Sequence, residues 1–177
     1  MTDTALQTEW KKFADAIGGS ISQAKESYFN PDNTYCIKTD KEEISLIWAD
    51  KPAKGRGTHV NLQSVFRFRL KPGSTAYLKI YPKDLLTGLF STWNKNRRRT
   101  EDPELDKAYI FIANEQETLS AVVYKLQQFH QQNKYRSFVI ETENDSRTLL
   151  IQVNELLIQK EDLFFFYEFG KSLVEVL

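Results

Sequence analysis

Between His59 and Lys71 apolar and polar side chains alternate with a period of two. Val60, Leu62, Ser64, Phe66, Phe68 and Leu70 fall on one side, and His59, Asn61, Gln63, Val65, Arg67, Arg69 and Lys71 on the other. An extended chain turns successive side chains to opposite faces, so the span predicts a long antiparallel strand, apolar toward a core and polar outward. Pro72-Gly73 supplies a turn, and Tyr77–Tyr81 returns with Leu78 and Ile80 on one face. Shorter runs predict strands at Tyr35–Thr39 and Glu43–Ala49 about a turn at Asp40-Lys41. In the second of these, Ile47 lies opposite Ile44, Leu46 and Trp48, which predicts partial cover on both faces. Tyr109–Ile112 forms a short apolar strand. Phe138, Ile140 and Thr142 share a face of the next one, and Leu149, Ile151 and Val153 line its return after a polar turn at Glu143–Ser146.

A second periodicity marks helices. Leu6, Trp10, Phe13, Ala14 and Ile17 share one helical face, with Thr4 and Gln7 as a capping box and Gly18 as the stop. Gly18-Gly19 permits a sharp change of direction. A central helix is predicted from Glu115 to His130, with Asn114 as N-cap, Glu117 at the third position, and Leu119, Val122, Val123, Leu126 and Phe129 as its buried stripe. Glu161–Leu177 is apolar on several faces and reads as a buried C-terminal helix. A strand over Leu163–Phe169 competes, because aromatic residues favour strands. Ser20–Ser27 reads as a short helix or loop, Asn30–Asn33 as a turn, Pro82–Trp93 as a short helix weakened by Gly88, and Asn154–Gln159 as a continuation of the sheet after a break. Together these predict an α+β fold: a mainly antiparallel sheet with N-terminal, central and C-terminal helices packed on it, in a single domain over 1–177.

Composition narrows the classes of function. The chain is 41% hydrophobic and 13% aromatic, which argues for a folded core rather than disorder. Lys+Arg and Asp+Glu balance at 24 each, so no global field steers it toward nucleic acid or anionic lipid. Cys36, the one cysteine, cannot form an internal disulfide, which fits a reducing compartment. No apolar run approaches the ~20 residues needed to span a bilayer, and MTDTALQTEWKKF lacks the apolar run of a signal peptide. The expectation is a soluble cytoplasmic protein, bacterial in style, without membrane insertion.

Two charged blocks carry the candidate chemistry. Asn94–Arg99 is followed at once by an acidic turn holding Asp102, Glu104 and Asp106. Such neighbours partly neutralise each other within a Debye length of about 8 Å. The carboxylate spacing superficially suggests a calcium loop, but Lys107 and Ala113 stand where its glycine and distal glutamate belong. Structural use is expected instead, as turn and capping hydrogen bonds or pairing with Arg97–Arg99. No metal site and no cofactor are predicted. Lys51–Gly57 is basic and contains glycine, yet lacks the spacing of a phosphate-binding loop. His59 and His130, the only histidines, are expected at the surface, His130 near a helix C-terminus. Cys36 is expected to be a small buried group. The strongest candidate surface is basic and aromatic: Arg67, Arg69 and Lys71 from one strand face, with Trp93, Arg97, Arg98 and Arg99.

Trp10 through Ile17-Gly18-Gly19 resembles the helix-then-Gly-Gly opening of a group of uncharacterised bacterial proteins. Glu101–Lys107 with Tyr109–Ile112 resembles their Asp-Pro-Glu-Phe-Asp turn leading into an apolar strand and helix, with Leu105 where an aromatic is usual. The resemblance implies this order of elements and no activity. The functional expectation is therefore a non-enzymatic interaction or accessory domain with a protein partner, the polar face of His59–Lys71 being its contact surface. Nucleic-acid binding through the basic and aromatic set is the first alternative. Small-ligand or metal binding at the acidic turn is the second. Self-association through the C-terminal apolar segment is expected if that segment is exposed.

Overall fold

A computed structural model describes residues 3–23, 33–52, 58–83, 95–132, 137–143 and 147–177. Its helices are α1 (Asp3–Ala16), α2 (Pro103–Ala108), α3 (Gln116–Gln132) and α4 (Lys160–Val176). Its strands are β1 (Ser20–Gln23), β2 (Asn33–Lys38), β3 (Glu42–Pro52), β4 (Thr58–Arg69), β5 (Leu78–Pro82), β6 (Arg97–Arg98), β7 (Tyr109–Ala113), β8 (Phe138–Thr142) and β9 (Thr148–Val153). The strands form one sheet in the order β1-β2-β3-β4-β9-β8-β5-β7-β6, antiparallel in β1/β2, β2/β3, β5/β7, β5/β8 and β6/β7. The α+β class and the antiparallel sheet are as expected, with the short α2 added. The Lys51–Gly57 loop, the Asn30–Asn33 turn, the Pro82–Trp93 helix and the Glu143–Ser146 turn fall wholly or largely outside the described residues. Chain contacts divide into two compact units, Met1–Arg67 with Gln152–Glu168 and Phe68–Ile151 with Phe169–Leu177.

In the first unit α1 supplies Trp10 and Phe13, both fully buried. The Trp10 ring lies 5.3 Å from Tyr35, and its indole N–H donates to the Leu157 carbonyl at 3.0 Å. Phe13 meets Phe164 and Tyr167 edge-on at 4.9 and 5.7 Å. The helix begins at Asp3, ahead of the expected cap at Thr4, whose side chain lies outside the described residues, and Gln7 Nε2 donates to Tyr35 Oη at 2.6 Å. Gly18, at φ 68, ends the helix in the left-handed region that favours glycine.

Two expectations fail here for local reasons. Ser20–Gln23 is a strand, not a helix or loop, with Ser20 opposite Lys38 and Gln23 opposite Tyr35. Gly19 lets it start close to β2, since a Cβ there would sit 3.1 Å from the Lys38 carbonyl oxygen. Asn154–Gln159 does not continue the sheet. Side chains claim its backbone instead: Ser64 Oγ donates to the Glu155 carbonyl at 3.0 Å and accepts from Leu157 N–H at 2.8 Å. That satisfies a fully buried serine on the apolar face of β4.

Strand β4 keeps the predicted alternation but not the predicted exposure. Leu62, on the apolar side, is 39% exposed, and Val65, on the polar side, is 4% exposed. Alternation fixes which side a residue takes; whether that side is covered at that point depends on what packs there.

In the second unit β5 lies between β7 and β8, with Ile80 opposite both Phe111 and Ile140. Buried Thr142 accepts from Leu78 N–H through Oγ1 at 3.1 Å. Asn114 is not the N-cap of the central helix, which starts at Gln116. Its side chain accepts from Tyr77 N–H at 3.1 Å and donates to the Thr75 carbonyl at 2.9 Å, tying down the approach to β5. The predicted stripe of α3 holds at Leu119, Val122, Leu126 and Phe129, and Phe129 stacks on Phe169 at 3.8 Å. The C-terminal segment is a helix, as preferred over a strand. Leu163, Phe166, Tyr167, Phe169 and Leu173 are buried, so they are not the exposed apolar surface on which self-association was premised. Lys71 Nζ and Ser74 Oγ donate to the carbonyls of Glu175 and Leu177, serving helix-end acceptors that no basic residue of α4's own last turn reaches.

Two outcomes follow from this packing. A methyl group on Gly170 would overlap the Phe68 ring. Gly170→Ala should therefore destabilise the protein by about 1–3 kcal/mol, even though alanine is the better helix former by up to ~1 kcal/mol. A denaturant midpoint at or above that of the wild type would refute this. Burial pushes the phenols of Tyr109 and Tyr167 up to about 12 from 10.0. Their folded pKa is raised, so their contribution is intact below pH 10 and is lost as pH rises from there toward about 12. Melting temperature should fall across that window, and less steeply in Tyr167→Phe.

Candidate functional site

The second unit gathers the two charged blocks, and hydrogen bonds decide what each can do. Asp102 is the N-cap of α2: its Oδ1 accepts from the N–H groups of Glu104 and Leu105 at 2.9 and 3.2 Å, with Pro103 following it in the first turn. Its Oδ2 accepts from Gln127 Nε2 on α3 at 2.8 Å. The Gln127 amide and then the Leu105 and Glu104 N–H groups hold the Asp102 carboxyl below its usual value. Asp106 Oδ1 accepts from Thr100 N–H at 2.9 Å and lies 2.9 Å from Thr100 Oγ1. Glu104 is exposed in the first turn. The acidic stretch is thus a short capped helix rather than a turn, anchored by Leu105, which is 1% exposed. Capping is the structural use expected for it. The expected pairing with Arg97–Arg99 is not seen among the described residues.

The two key carboxylates do not share a site. Asp102 lines a hollow of about 380 Å³ with Tyr124 and Gln127, while Asp106 lines another of about 390 Å³. Among the described residues no cluster of three or more histidine, cysteine, aspartate or glutamate side chains is placed to hold a metal ion.

The basic block meets the acidic stretch in the second of these hollows. Edge strand β6 pairs Arg97 with Ile112 and Arg98 with Phe111. Arg97 and Arg99 line the hollow, and Arg98 turns away, its guanidinium 3.4 and 3.5 Å from the carbonyls of Lys95 and Asn114. This is the alternation of an extended segment. Lys83 and Lys107 complete the cationic lining, opposed by Glu101 and Asp106. Pairing of β5 with β7 sets Pro82 opposite Tyr109, and the next N–H, of Lys83, donates to the Ala108 carbonyl at 2.8 Å. Tyr109 backs the hollow at 5% exposure, its hydroxyl 3.2 Å from His130 Nδ1 in the last turn of α3.

The remaining candidates lie elsewhere. Arg67 belongs to the first unit, 3.8 Å from Glu43. Arg69 and Lys71 line an open groove of about 620 Å³ in the second unit with Arg147, away from Arg97 and Arg99. Trp93 and the side chain of His59 lie outside the described residues. Cys36 is half-buried rather than buried, and burial raises its thiol pKa. Lys83 and Lys107 were not singled out in the sequence. Lys107 stood within the acidic stretch and could have been; Lys83 reaches the hollow only through the β5/β7 register.

Asp102→Ala removes a cap and should cost about 0.5–2 kcal/mol, with Asp102→Asn retaining most of the stability. Because the Asp102 carboxyl is lowered on folding, its ionic contribution is present above its ordinary 3.8 and fades as pH falls below it. Equal denaturation midpoints for wild type and Asp102→Ala at neutral pH would contradict the capping role.

Comparison with protein-family models, with curated proteins and with solved structures finds no match for this chain.

Proposed function

We propose that the protein is a non-enzymatic binding domain that engages an acidic segment of a protein partner through the hollow lined by Lys83, Arg97, Arg99 and Lys107. The observation that carries this is the collection of four cations, Lys83 just past β5, Arg97 in β6, Arg99 just past it and Lys107 in α2, around one concavity of about 390 Å³. Complementary charge at a concave surface speeds encounter and fixes orientation. Among the described residues no ion pair joins these cations to the two carboxylates of the lining, Glu101 and Asp106, and Asp106 accepts from Thr100 instead. The hollow is a better contact surface than the outer face of β4, where Val65 is buried and Arg67 lies beside Glu43. Among the described residues of its lining the aromatic one, Tyr109, is 5% exposed and offers no open face for a nucleobase to stack on, which favours a peptide. Among the described residues no helix is long and apolar enough to cross a membrane.

The test is a salt titration of a fluorescent glutamate-rich peptide, with a neutral peptide and a single-stranded oligonucleotide as comparisons. The glutamate-rich peptide should bind at low ionic strength, weaken as salt rises, and lose at least about tenfold in affinity in Arg97→Ala/Arg99→Ala. No binding at low salt, or binding unchanged by the double substitution, would overturn the proposal. Tighter binding of the oligonucleotide would replace it with the nucleic-acid reading.

A further inference from the structure

We infer that the hollow takes a phosphate monoester, presented as a phosphorylated side chain of the acidic partner; this rests on the reading just given. Charge is the first argument. Lys83, Arg97, Arg99 and Lys107 face Glu101 and Asp106, so four cations against two carboxylates leave two positive charges. A phosphate monoester carries about −1.5 to −2 at neutral pH and balances that excess, whereas a single carboxylate leaves about half of it uncompensated. Size is the second. A volume of about 390 Å³ sits at the low end of the ~300–1,000 Å³ typical of ligand pockets, room for one side chain of the partner segment with the phosphate it carries.

Donor chemistry is the third argument. Two arginines from alternate positions of one extended segment bring planar forks that match phosphate oxygens two at a time, which an ammonium cannot do. Arg98, on the other side, has carbonyl neighbours of its own. Lys83 is held over α2 by its backbone bond to Ala108 and by Nζ, 3.4 Å from the Asp106 carbonyl oxygen, which keeps its ammonium at the lining. Thr100 Oγ1 is occupied by Asp106 Oδ1 and the Asp102 carbonyl, so binding falls to the cations.

The probes are phenyl phosphate, phenyl sulfate and benzoate, titrated into the whole chain and followed by NMR shifts, beside the glutamate-rich peptide and its phosphoserine counterpart. Phenyl phosphate should bind more tightly than the other two small anions. Its affinity should fall as pH drops through the phosphate's second ionisation near ~6, while that of phenyl sulfate changes less. Arg97→Ala and Arg99→Ala should each weaken phenyl phosphate by about tenfold, and Arg98→Ala should leave it unchanged. The phosphoserine peptide should outbind the glutamate-rich one. Equal binding of sulfate or benzoate, or an Arg98→Ala loss as large as that of Arg97→Ala, would overturn the inference. Binding of the glutamate-rich peptide without preference for phosphate would sink it while leaving the acidic-partner reading intact. Failure of every anion would sink both.

Discussion

The hydrogen-bonding demand of β7 organises the second unit. All five residues from Tyr109 to Ala113 are buried, so every backbone N–H and carbonyl of this strand must find a partner inside the protein. An apolar strand buried on both faces is stable only with a neighbour along each edge. On one side β5 supplies the ladder, from Leu78 opposite Ala113 to Pro82 opposite Tyr109. On the other the chain offers Arg97 and Arg98, with the Asn96 carbonyl accepting from Ala113 N–H at 3.0 Å. Arginines are placed at the sheet edge because β7 needs a partner there, and a short, charged edge strand also resists pairing with another chain. The cationic hollow is the consequence: β5 runs out at Lys83, β6 brings Arg97, and α2 joins β7 directly, its last turn closed by Tyr109 N–H on the Leu105 carbonyl.

Much of the fold was legible because periodicity reports burial wherever one face of an element is covered throughout. The stripe of α3 and the Leu78/Ile80 face of β5 are of this kind, each matching its predicted side. Asn114 shows where such reading stops. Asn-x-x-Glu before an apolar stripe is a sound local signal for an N-cap, but the same side chain also fits the backbone of Thr75–Tyr77, nearly forty positions earlier, and that match wins. Ser64 is similar. It interrupts an apolar face and looks like a weak point, until Glu155 and Leu157 bring the two backbone groups that satisfy it. Tertiary partners of this sort leave no trace in local spacing.

The candidate site divides in the same way. Arg97, Arg99 and Asp106 were visible as adjacent blocks of opposite charge, and adjacency alone argues for mutual neutralisation. What it omits is that a carboxylate already accepting two or three hydrogen bonds from neutral donors is held by them in place. Asp102 is fixed by α2 and α3, Asp106 by Thr100, and among the described residues neither is ion-paired to a guanidinium. Among the described residues neither Arg97 nor Arg99 is ion-paired to these carboxylates, and Asp106 stands in the lining of the hollow beside them. Capping a six-residue helix and exposing a pair of arginines are therefore one arrangement. The hydrogen bonds that start α2 occupy Asp102 and those from Thr100 occupy Asp106, and a chain with no net charge still gathers four cations against two carboxylates around one concave place.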